Sequence, residues 1–319
     1  MSRESTRRQF LAAGGAAGAV ALAGCGGNGI GGGSGSTNWY YGESNEQLSK
    51  ELVSIINTRD SKEIELRKGG TAPDAAKRLH NGSGEFAVIG SDIASFAMKG
   101  AGVDAISTKY ETMRAVMSLY PMPVTLVARP DIEGETLGDL SGATVNAGPP
   151  SSRLAANANQ IVNNSQTDFD TANVPLSEAM AKLGDGSLDA TFAIGDWPIQ
   201  AVQEAAPDIE ILGVSDKLQR KVIGSTNWFV QTQLPAGVYE GSDEMTPTLG
   251  IMSLLVTREG ADEGTVAVVT DRILESAENG DIKTRGSYIP KKESKDDGRV
   301  GIPQTVDMHD GAEQIIIYD

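Results

Sequence analysis

One helix–turn–strand pattern occurs twice in this chain, and it restricts the fold more than any other feature. Residues 75–92 read AAKRLHNGSGEFAVIGSD, and residues 179–196 read AMAKLGDGSLDATFAIGD. Each segment has a helical stretch ending in leucine, an Asn/Asp-Gly-Ser turn, an acidic residue, an apolar strand, and then Ile-Gly and an aspartate. Two such units predict two related α/β lobes, although two unrelated β-α-β units can reach this similarity by chance.

Short apolar strands alternate with apolar stripes at helical spacing through the rest of the chain. A stripe at 48–56 follows a strand at 38–41, and a second stripe at 154–162 follows a strand near 144–145. This alternation is typical of α/β sheet proteins. We therefore predict an α/β fold of two lobes with a cleft between them, in which the strand ends of both repeated units face the cleft.

Two extended segments that contain or precede proline mark where the chain is expected to cross between lobes. One is Leu119–Pro123 with the strand that follows it, and the other is Trp228–Leu234 followed by Pro-Ala-Gly. Because proline favours extended geometry, we predict that these segments are two hinge strands. The predicted boundaries are lobe 1 at 37–128 plus 234–319 and lobe 2 at 129–233.

The N-terminus predicts export and lipidation. Two adjacent arginines precede a small-residue apolar segment at 11–23, which is too short to span a bilayer and resembles a twin-arginine export signal. The only cysteine, Cys25, follows Leu-Ala-Gly, as in a lipobox. We expect a signal at 1–24, lipidation of Cys25 on the outer face of the cytoplasmic membrane, and a flexible glycine-rich tether over 25–36. A buried thiol in an N-terminal helix is the alternative.

Acidic residues dominate the charge of the chain. The sequence has 43 acidic and 27 basic residues, which gives a formal net charge of −16. Such a surface repels nucleic acid and anionic lipid, so we expect no nucleic-acid partner and membrane contact through the lipid anchor only. Together with export of a folded protein, it indicates a halophilic source, where salt screens the repulsion. An ordinary acidic secreted protein is the alternative.

Residues that carry catalytic chemistry are sparse. His80 lies beside an Asn-Gly turn and His309 near the C-terminus, and neither belongs to a nucleophile or zinc motif. One cysteine cannot form a redox pair, and no phosphate-binding lysine motif occurs. We predict a protein that is not an enzyme, with no catalytic residue, metal or cofactor. A hydrolase whose Ser, His and Asp assemble in space is the alternative.

An ordered set of segments resembles one family. The segments are Gly69-Gly70-Thr71 with the helix after it and HNGSGEFAVIGSD, then LYPMPVTLVAR, DLSGATVNAGPPSSR, LGDGSLDATFAIGDWP, LPAGVYEG and MHDGAEQ. Together they resemble the substrate-binding receptors of tripartite ATP-independent periplasmic (TRAP) transporters, of the TAXI subfamily. The resemblance implies a type II periplasmic-binding-protein-like fold, a small organic acid or amino acid in the cleft, and delivery of that ligand to a membrane permease.

Three turns depart from the pattern of these receptors. The sequence GPPSSRL at 148–154 stands where relatives carry Gly-Pro-Pro-Gly-Ser-Gly-Thr, so Ser151, Arg153 and Leu154 replace two glycines and a threonine. Asp74 stands where relatives carry asparagine, and the turn at 41–45 is shorter and more polar than usual. We therefore expect a ligand that differs from those of familiar members.

The turn at 148–153 predicts an anion site. Ser151 or Ser152 is expected to cap the following helix, whose free N–H groups and positive dipole end favour a carboxylate. Arg153 can add a bidentate clamp. The alternative is that the serines only cap the helix and that Arg153 lies on its solvated face.

The other lobe is predicted to hold the opposite end of the ligand. Thr71, Ser91 and Asp92 supply hydroxyls and an acceptor suited to an amino group. Trp197, with Tyr120, is predicted to line the cleft, and a core position is the alternative for Trp197. The predicted ligand-binding residues are Gly42, Ser44, Gly70, Thr71, Asp74, Ser91, Asp92, Tyr120, Gly148, Pro149, Ser151, Ser152, Arg153, Asp196 and Trp197.

These features together predict an extracytoplasmic solute receptor. We expect it to bind a small carboxylate-bearing ligand, of the glutamate-like amino acid or dicarboxylate class, and to deliver it to a TRAP-type permease. A sensory or other surface-binding lipoprotein of the same fold is the alternative, because a fold alone does not separate the two functions.

Overall fold

The computed structural model describes residues 37–42, 45–59, 63–206 and 208–318. The predicted export signal, the tether, Cys25 and Ser44 lie outside the described residues. No helix within the described ranges is both long enough and apolar enough to cross a membrane.

Strands and helices alternate along most of the described chain, as the sequence predicts. The strands are β1 Thr37–Gly42, β2 Ile64–Gly70, β3 Phe86–Gly90, β4 Met113–Pro123, β5 Thr125–Ala128, β6 Thr144–Asn146, β7 Asp170–Ala172, β8 Ala190–Ala193, β9 Glu210–Leu212, β10 Phe229–Leu234 and β11 Thr246–Arg258. The α-helices are α1 Glu46–Arg59, α2 Ala72–His80, α3 Ser91–Lys99, α4 Arg153–Asn164, α5 Leu176–Gly184, α6 Gln200–Ala205, α7 Asp216–Ser225, α8 Glu263–Glu278 and α9 Asp310–Glu313.

The strands form two mixed sheets. A six-stranded sheet has the order β10-β11-β3-β1-β2, with β4 also paired to β11. A five-stranded sheet has the order β7-β6-β8-β5-β9. We call the six-stranded sheet with helices α1–α3, α8 and α9 lobe 1, and the five-stranded sheet with helices α4–α6 lobe 2; helix α7 packs against both α4 and β10.

The repeated sequence unit occupies equivalent places in the two sheets. Its first copy forms α2 and β3, and its second copy forms α5 and β8. Strand β3 pairs parallel with β1 and antiparallel with β11, and β8 pairs parallel with β6 and antiparallel with β5. The two units therefore present their strand ends in the same way, each in the interior of its own sheet.

The chain passes from lobe 1 to lobe 2 at Val124, between β4 and β5. The Val124 N–H donates to the Leu249 carbonyl at 2.8 Å, and the Thr248 hydroxyl donates to the Val124 carbonyl at 2.7 Å. These bonds hold Val124, where the chain crosses between the lobes, against strand β11. Two strands lie in a different sheet from the one that the predicted boundaries imply. Strand β5 was predicted in lobe 1 but lies in the five-stranded sheet, and β10 was predicted in lobe 2 but lies in the six-stranded sheet.

The core consists of two groups of buried apolar side chains. The larger group spans both sheets and includes Trp39, Phe86 and Phe192, all of them fully buried. The smaller group includes Leu188 and Trp197 of lobe 2, together with Leu234 at the end of β10. Helices on both sheets bury the apolar stripes that their sequence spacing predicts. Because these helices pack on the faces of the sheets, polar residues can occupy the strand ends.

Candidate functional site

A cavity of about 450 Å³ lies between the lobes, where helices of both begin. It is lined by Gly42, Asn45, Thr71, Ala72, Pro73, Gly90, Val103, Asp104, Ala105, Met122, Ser151, Ser152 and Arg153. Five of the predicted ligand residues are among these, namely Gly42, Thr71, Ser151, Ser152 and Arg153. The cavity has the size of a site for a small molecule.

Four helices start at this cavity. Asn45, Thr71, Gly90 and Ser152 directly precede α1, α2, α3 and α4, and each of the four lines the cavity. The first N–H groups of a helix have no partner within it, and the helix dipole makes this end positive. The cavity is therefore a favourable place for a negatively charged group.

Ser152 is the N-cap of α4, so of the two serines predicted as alternatives for this cap, the second is the one that forms it. Its hydroxyl accepts a hydrogen bond from the Ala155 N–H at 3.1 Å. Ser151 lies in the left-handed region with φ 61°. Glycine adopts this conformation without the steric cost that a side chain brings.

Asp74 stabilises the start of α2. Its carboxylate accepts hydrogen bonds from the hydroxyl and the N–H of Thr71, at 2.7 and 2.9 Å. The Thr71 hydroxyl, followed by its N–H, lowers the pKa of Asp74 below its ordinary value. The two residues form a capping box, so the carboxylate predicted to contact the ligand is engaged by the protein itself.

The structure pairs Asp92 and Arg153, which the sequence analysis placed at opposite ends of a ligand. Arg153 Nε donates to Asp92 Oδ2 at 2.6 Å, and Nη2 donates to Oδ1 at 2.9 Å. The Asp92 side chain is fully buried, whereas 23% of the Arg153 side chain is exposed. Burial disfavours the charge of Arg153, but Asp92 outweighs this effect and raises its pKa. Sequence reasoning missed this pair because each residue belongs to a different lobe.

Helix α4 completes the surroundings of Asp92. Asn157 Nδ2 donates to Asp92 Oδ2 at 2.8 Å, and the Trp228 indole N–H donates to Asn157 Oδ1 at 2.8 Å. Ser91 also has internal partners, because its hydroxyl donates to the Trp228 carbonyl at 2.7 Å and accepts from the Met252 N–H at 3.0 Å. Asp92 therefore joins the lobes through Arg153 and Asn157 of α4, whereas the partners of Ser91 lie within lobe 1. Neither residue is among those that line the cavity.

Asp196 and Trp197 form a second cluster between the lobes, with Arg285. Arg285 Nη2 donates to Asp196 Oδ1 at 3.3 Å, and its guanidinium carbon lies 3.6 Å from the centre of the Trp197 indole. Burial raises the pKa of the Asp196 carboxyl, although the charge of Arg285 opposes this shift. Trp197 is 9% exposed and packs in the lobe 2 core, in agreement with the alternative interpretation given for it.

Tyr120 connects the second cluster to the cavity. Its hydroxyl donates to Asn45 Oδ1 at 2.7 Å, and the Arg285 guanidinium lies 5.9 Å from its ring centre. Burial raises the pKa of Tyr120 above its ordinary value. Tyr120 therefore orients Asn45, which is one of the residues that line the cavity.

Sequence reasoning missed several residues of the cavity. Asn45 directly precedes α1, and an asparagine before an apolar helical stripe is a recognisable helix-start signal. The loop Val103–Ala105 has no such signal. Its Asp104 N–H donates to the Ser151 carbonyl at 3.2 Å and so joins the lobes beside the cavity.

The remaining predicted glycine and proline residues shape the turns around the cavity. Gly70 and Gly148 have φ of 90° and 87°. A Cβ on Gly148 would lie 2.7 Å from the Leu154 side chain, so this turn has no room for one. Pro149 accepts a hydrogen bond from the Ser152 N–H at 3.1 Å and helps to hold the turn that leads into α4.

The two histidines have structural contacts. The His80 ring stacks on Tyr110 with centroids 4.4 Å apart, and His309 Nδ1 accepts a hydrogen bond from the Gly311 N–H at 3.2 Å. Within the described ranges, no group of three or more His, Cys, Asp or Glu residues has a geometry that could hold a metal ion.

Comparison with known proteins gives a family match and a fold match. The model of the NMT1-like family matches residues 30–316. A TctC solute binding protein from Polaromonas has a TM-score of 0.54 and 12% identity, over 78% of this chain and 86% of that one. The likeness shows a shared two-lobed α/β periplasmic-binding-protein-like fold, and it confirms the predicted fold class.

Two further solved structures are similar at lower scores. The aliphatic sulphonate binding protein SsuA from Escherichia coli has a TM-score of 0.47 and 14% identity, over 79% of this chain and 77% of that one. A substrate binding domain of a putative amino acid ABC transporter from Streptococcus pneumoniae has a TM-score of 0.48 and 15% identity, over 80% of this chain and 100% of that one.

Proposed function

This chain belongs to the NMT1-like family, and from that premise we propose that it is an extracytoplasmic solute receptor that binds a small carboxylate-bearing molecule for a membrane transporter. The observation that supports this most is the cavity between the lobes, at which four helices begin. A solute receptor needs a site that both lobes contact, and residues of both lobes line this cavity. The proposal includes no catalytic step.

The polar groups of the cavity favour a carboxylate at its lobe 2 side. Arg153 uses Nε and Nη2 for Asp92, and within the described residues Nη1 makes no hydrogen bond. This N–H group, together with the first amides of α4 after Ser152, can bind one carboxylate. Because Asp92 already balances the charge of Arg153, the helix ends supply most of the remaining positive potential.

The lobe 1 side of the cavity favours a second polar group on the ligand. Asn45 has its carbonyl oxygen bonded to Tyr120, so its amide group is oriented by that bond. Ala72, the first residue of α2, lines the same space, and Asp104 adds an acceptor. A glutamate-like amino acid or a dicarboxylate carries groups that match both sides.

We assign the transporter to the TRAP type and the receptor to the TAXI subfamily, because the ordered sequence segments from Gly69 to the MHDGAEQ segment resemble those receptors. A gene for a fused TRAP permease beside this one would support the assignment. A neighbouring sensor kinase gene would instead favour a sensory lipoprotein. Lipidation of Cys25 belongs to the same proposal, and Cys25→Ser should release the protein from membranes.

Calorimetric titration tests the binding proposal. The ligands are glutamate and a four-carbon dicarboxylate, each compared with its amide, which lacks the carboxylate charge. Arg153→Lys keeps a positive charge for Asp92 but removes the Nη1 donor, and we expect about tenfold weaker binding, or about 1.4 kcal/mol. Arg129→Lys is the matched control, because Arg129 pairs with Asp189 inside lobe 2 and does not line the cavity. Equal binding of acids and amides would contradict the proposal.

A further inference from the structure

The two copies of the repeated unit end in aspartates that have the same kind of partner. Asp92 follows β3 in lobe 1 and pairs with Arg153 of lobe 2. Asp196 follows β8 in lobe 2 and pairs with Arg285, which lies after α8 of lobe 1. The acid comes from lobe 1 in one pair and from lobe 2 in the other.

We propose that these two ion pairs are paired latches that hold the lobes closed over the cavity. Each latch joins the end of a repeated strand to an arginine of the opposite lobe, so both must break when the lobes separate. The proposal concerns the lobes themselves and holds whichever ligand binds. Its failure would leave the proposed function untouched.

The first latch is built for close contact between the lobes. Both oxygens of Asp92 accept hydrogen bonds from lobe 2, two from Arg153 and one from Asn157. Gly90 makes the approach possible, since a Cβ there would collide with the carboxylate of Asp92 and the guanidinium of Arg153. A bidentate pair has a defined geometry, so it forms only when the lobes reach this relative position.

The second latch fixes its arginine by several contacts. The Arg285 guanidinium lies over the Trp197 indole and beside Tyr120, in addition to its bond with Asp196. Arg285 has φ 60°, a conformation that a non-glycine residue adopts at a cost. The contacts across the lobes compensate for this cost in the closed arrangement, because Trp197 and Asp196 belong to lobe 2 and Arg285 to lobe 1.

Both latches border the cavity. Arg153 of the first latch lines it directly, and the second latch reaches it through Tyr120 and Asn45. Closure and the shape of the ligand site are therefore coupled. Loss of either latch is expected to shift the protein towards an open arrangement, and loss of both to shift it further.

Inter-lobe distances measured between spin labels test the proposal. Labels attached at Lys109→Cys in lobe 1 and Asn163→Cys in lobe 2 use exposed positions, in a Cys25→Ser background. We expect the distance distribution to move to longer values in Asp92→Asn and in Asp196→Asn, and furthest in the double variant. Asp281→Asn is the matched control, because it breaks the Arg59–Asp281 ion pair inside lobe 1 and should leave the distance unchanged.

Two results would overturn the proposal. One is a distance distribution that is unchanged in the double variant, and the other is a shift in only one of the two single variants. Circular dichroism of each variant establishes that it is folded. If Asp92→Asn does not fold, Arg153→Lys replaces it, because lysine keeps the charge for Asp92 and loses the bidentate geometry.

Discussion

The hydroxyl of Tyr120 donates a hydrogen bond to Oδ1 of Asn45 across 2.7 Å, in a place that solvent hardly reaches. Tyr120 is on β4 next to the crossing between lobes, and Asn45 is a wall residue of the cavity. The bond therefore links the crossing between the lobes to the wall of the cavity.

Tyr120→Phe removes this bond and leaves a buried carbonyl oxygen of Asn45 without its partner. We expect a loss of about 1 kcal/mol in the free energy of unfolding, because an unmade buried hydrogen bond costs roughly that much. Urea denaturation monitored by circular dichroism measures it. Tyr288→Phe is the control, since Tyr288 is 42% exposed and should tolerate the change. Equal stability of both variants would refute the role given to Tyr120.

Ser151→Gly should stabilise the protein by about 0.5–1 kcal/mol. Ser151 has φ 61°, and glycine adopts this conformation without the steric cost of a Cβ. Thermal unfolding measures the effect. The adjacent Ser152→Ala provides the contrast, because it removes the cap of α4 and should cost about 1 kcal/mol. A destabilised Ser151→Gly variant would contradict the account of this turn.

Asp74→Asn should destabilise the protein at neutral pH by about 1 kcal/mol, the usual cost of a lost cap. Hydrogen bonds from Thr71 lower the pKa of Asp74 in the folded state, so the stabilisation is present above the unfolded pKa and is lost as pH falls through the folded pKa. The difference between wild type and variant should therefore shrink in acid. A stability difference that is independent of pH down to pH 2 would contradict this explanation.

Gly90→Ala should destabilise the protein by about 1–3 kcal/mol, the range for a group forced into a filled space. The added methyl group would meet the Asp92–Arg153 pair and the Ile251 side chain. Gly184→Ala is the matched control, because no atom outside its own helix neighbourhood lies within 4 Å of the added methyl group. Chemical denaturation of both variants decides whether the space beside the ion pair is as restricted as the structure indicates.

The fold followed from local patterns that a single sequence carries. The repeated units predicted two lobes, and β3 and β8 indeed have equivalent partners in their sheets. Ser151 or Ser152 was predicted to cap α4, because serine before an apolar helical stripe has a local role that does not depend on the rest of the fold, and Ser152 is the cap. The fold class is confirmed by the likeness to the Polaromonas protein.

The partners of the charged residues could not be predicted in the same way. Arg153 and Asp92 are 61 positions apart in sequence, and their pairing depends on how the lobes meet. Arg285 lies in a segment without a motif, yet it contacts Asp196 and Trp197. Local patterns indicate that an arginine or aspartate is close to a site, but only the arrangement of the lobes decides whether it faces a ligand or another side chain.

Mass spectrometry of the small molecule extracted from natively purified protein tests the central claim most directly. We predict a stoichiometric small molecule that carries at least one carboxylate, of the glutamate-like or dicarboxylate class, and that is lost when the protein is unfolded. Its affinity should fall in Arg153→Lys and stay unchanged in Arg129→Lys. A bound molecule without a carboxylate, or one retained equally by both variants, would contradict an anion site at the start of α4.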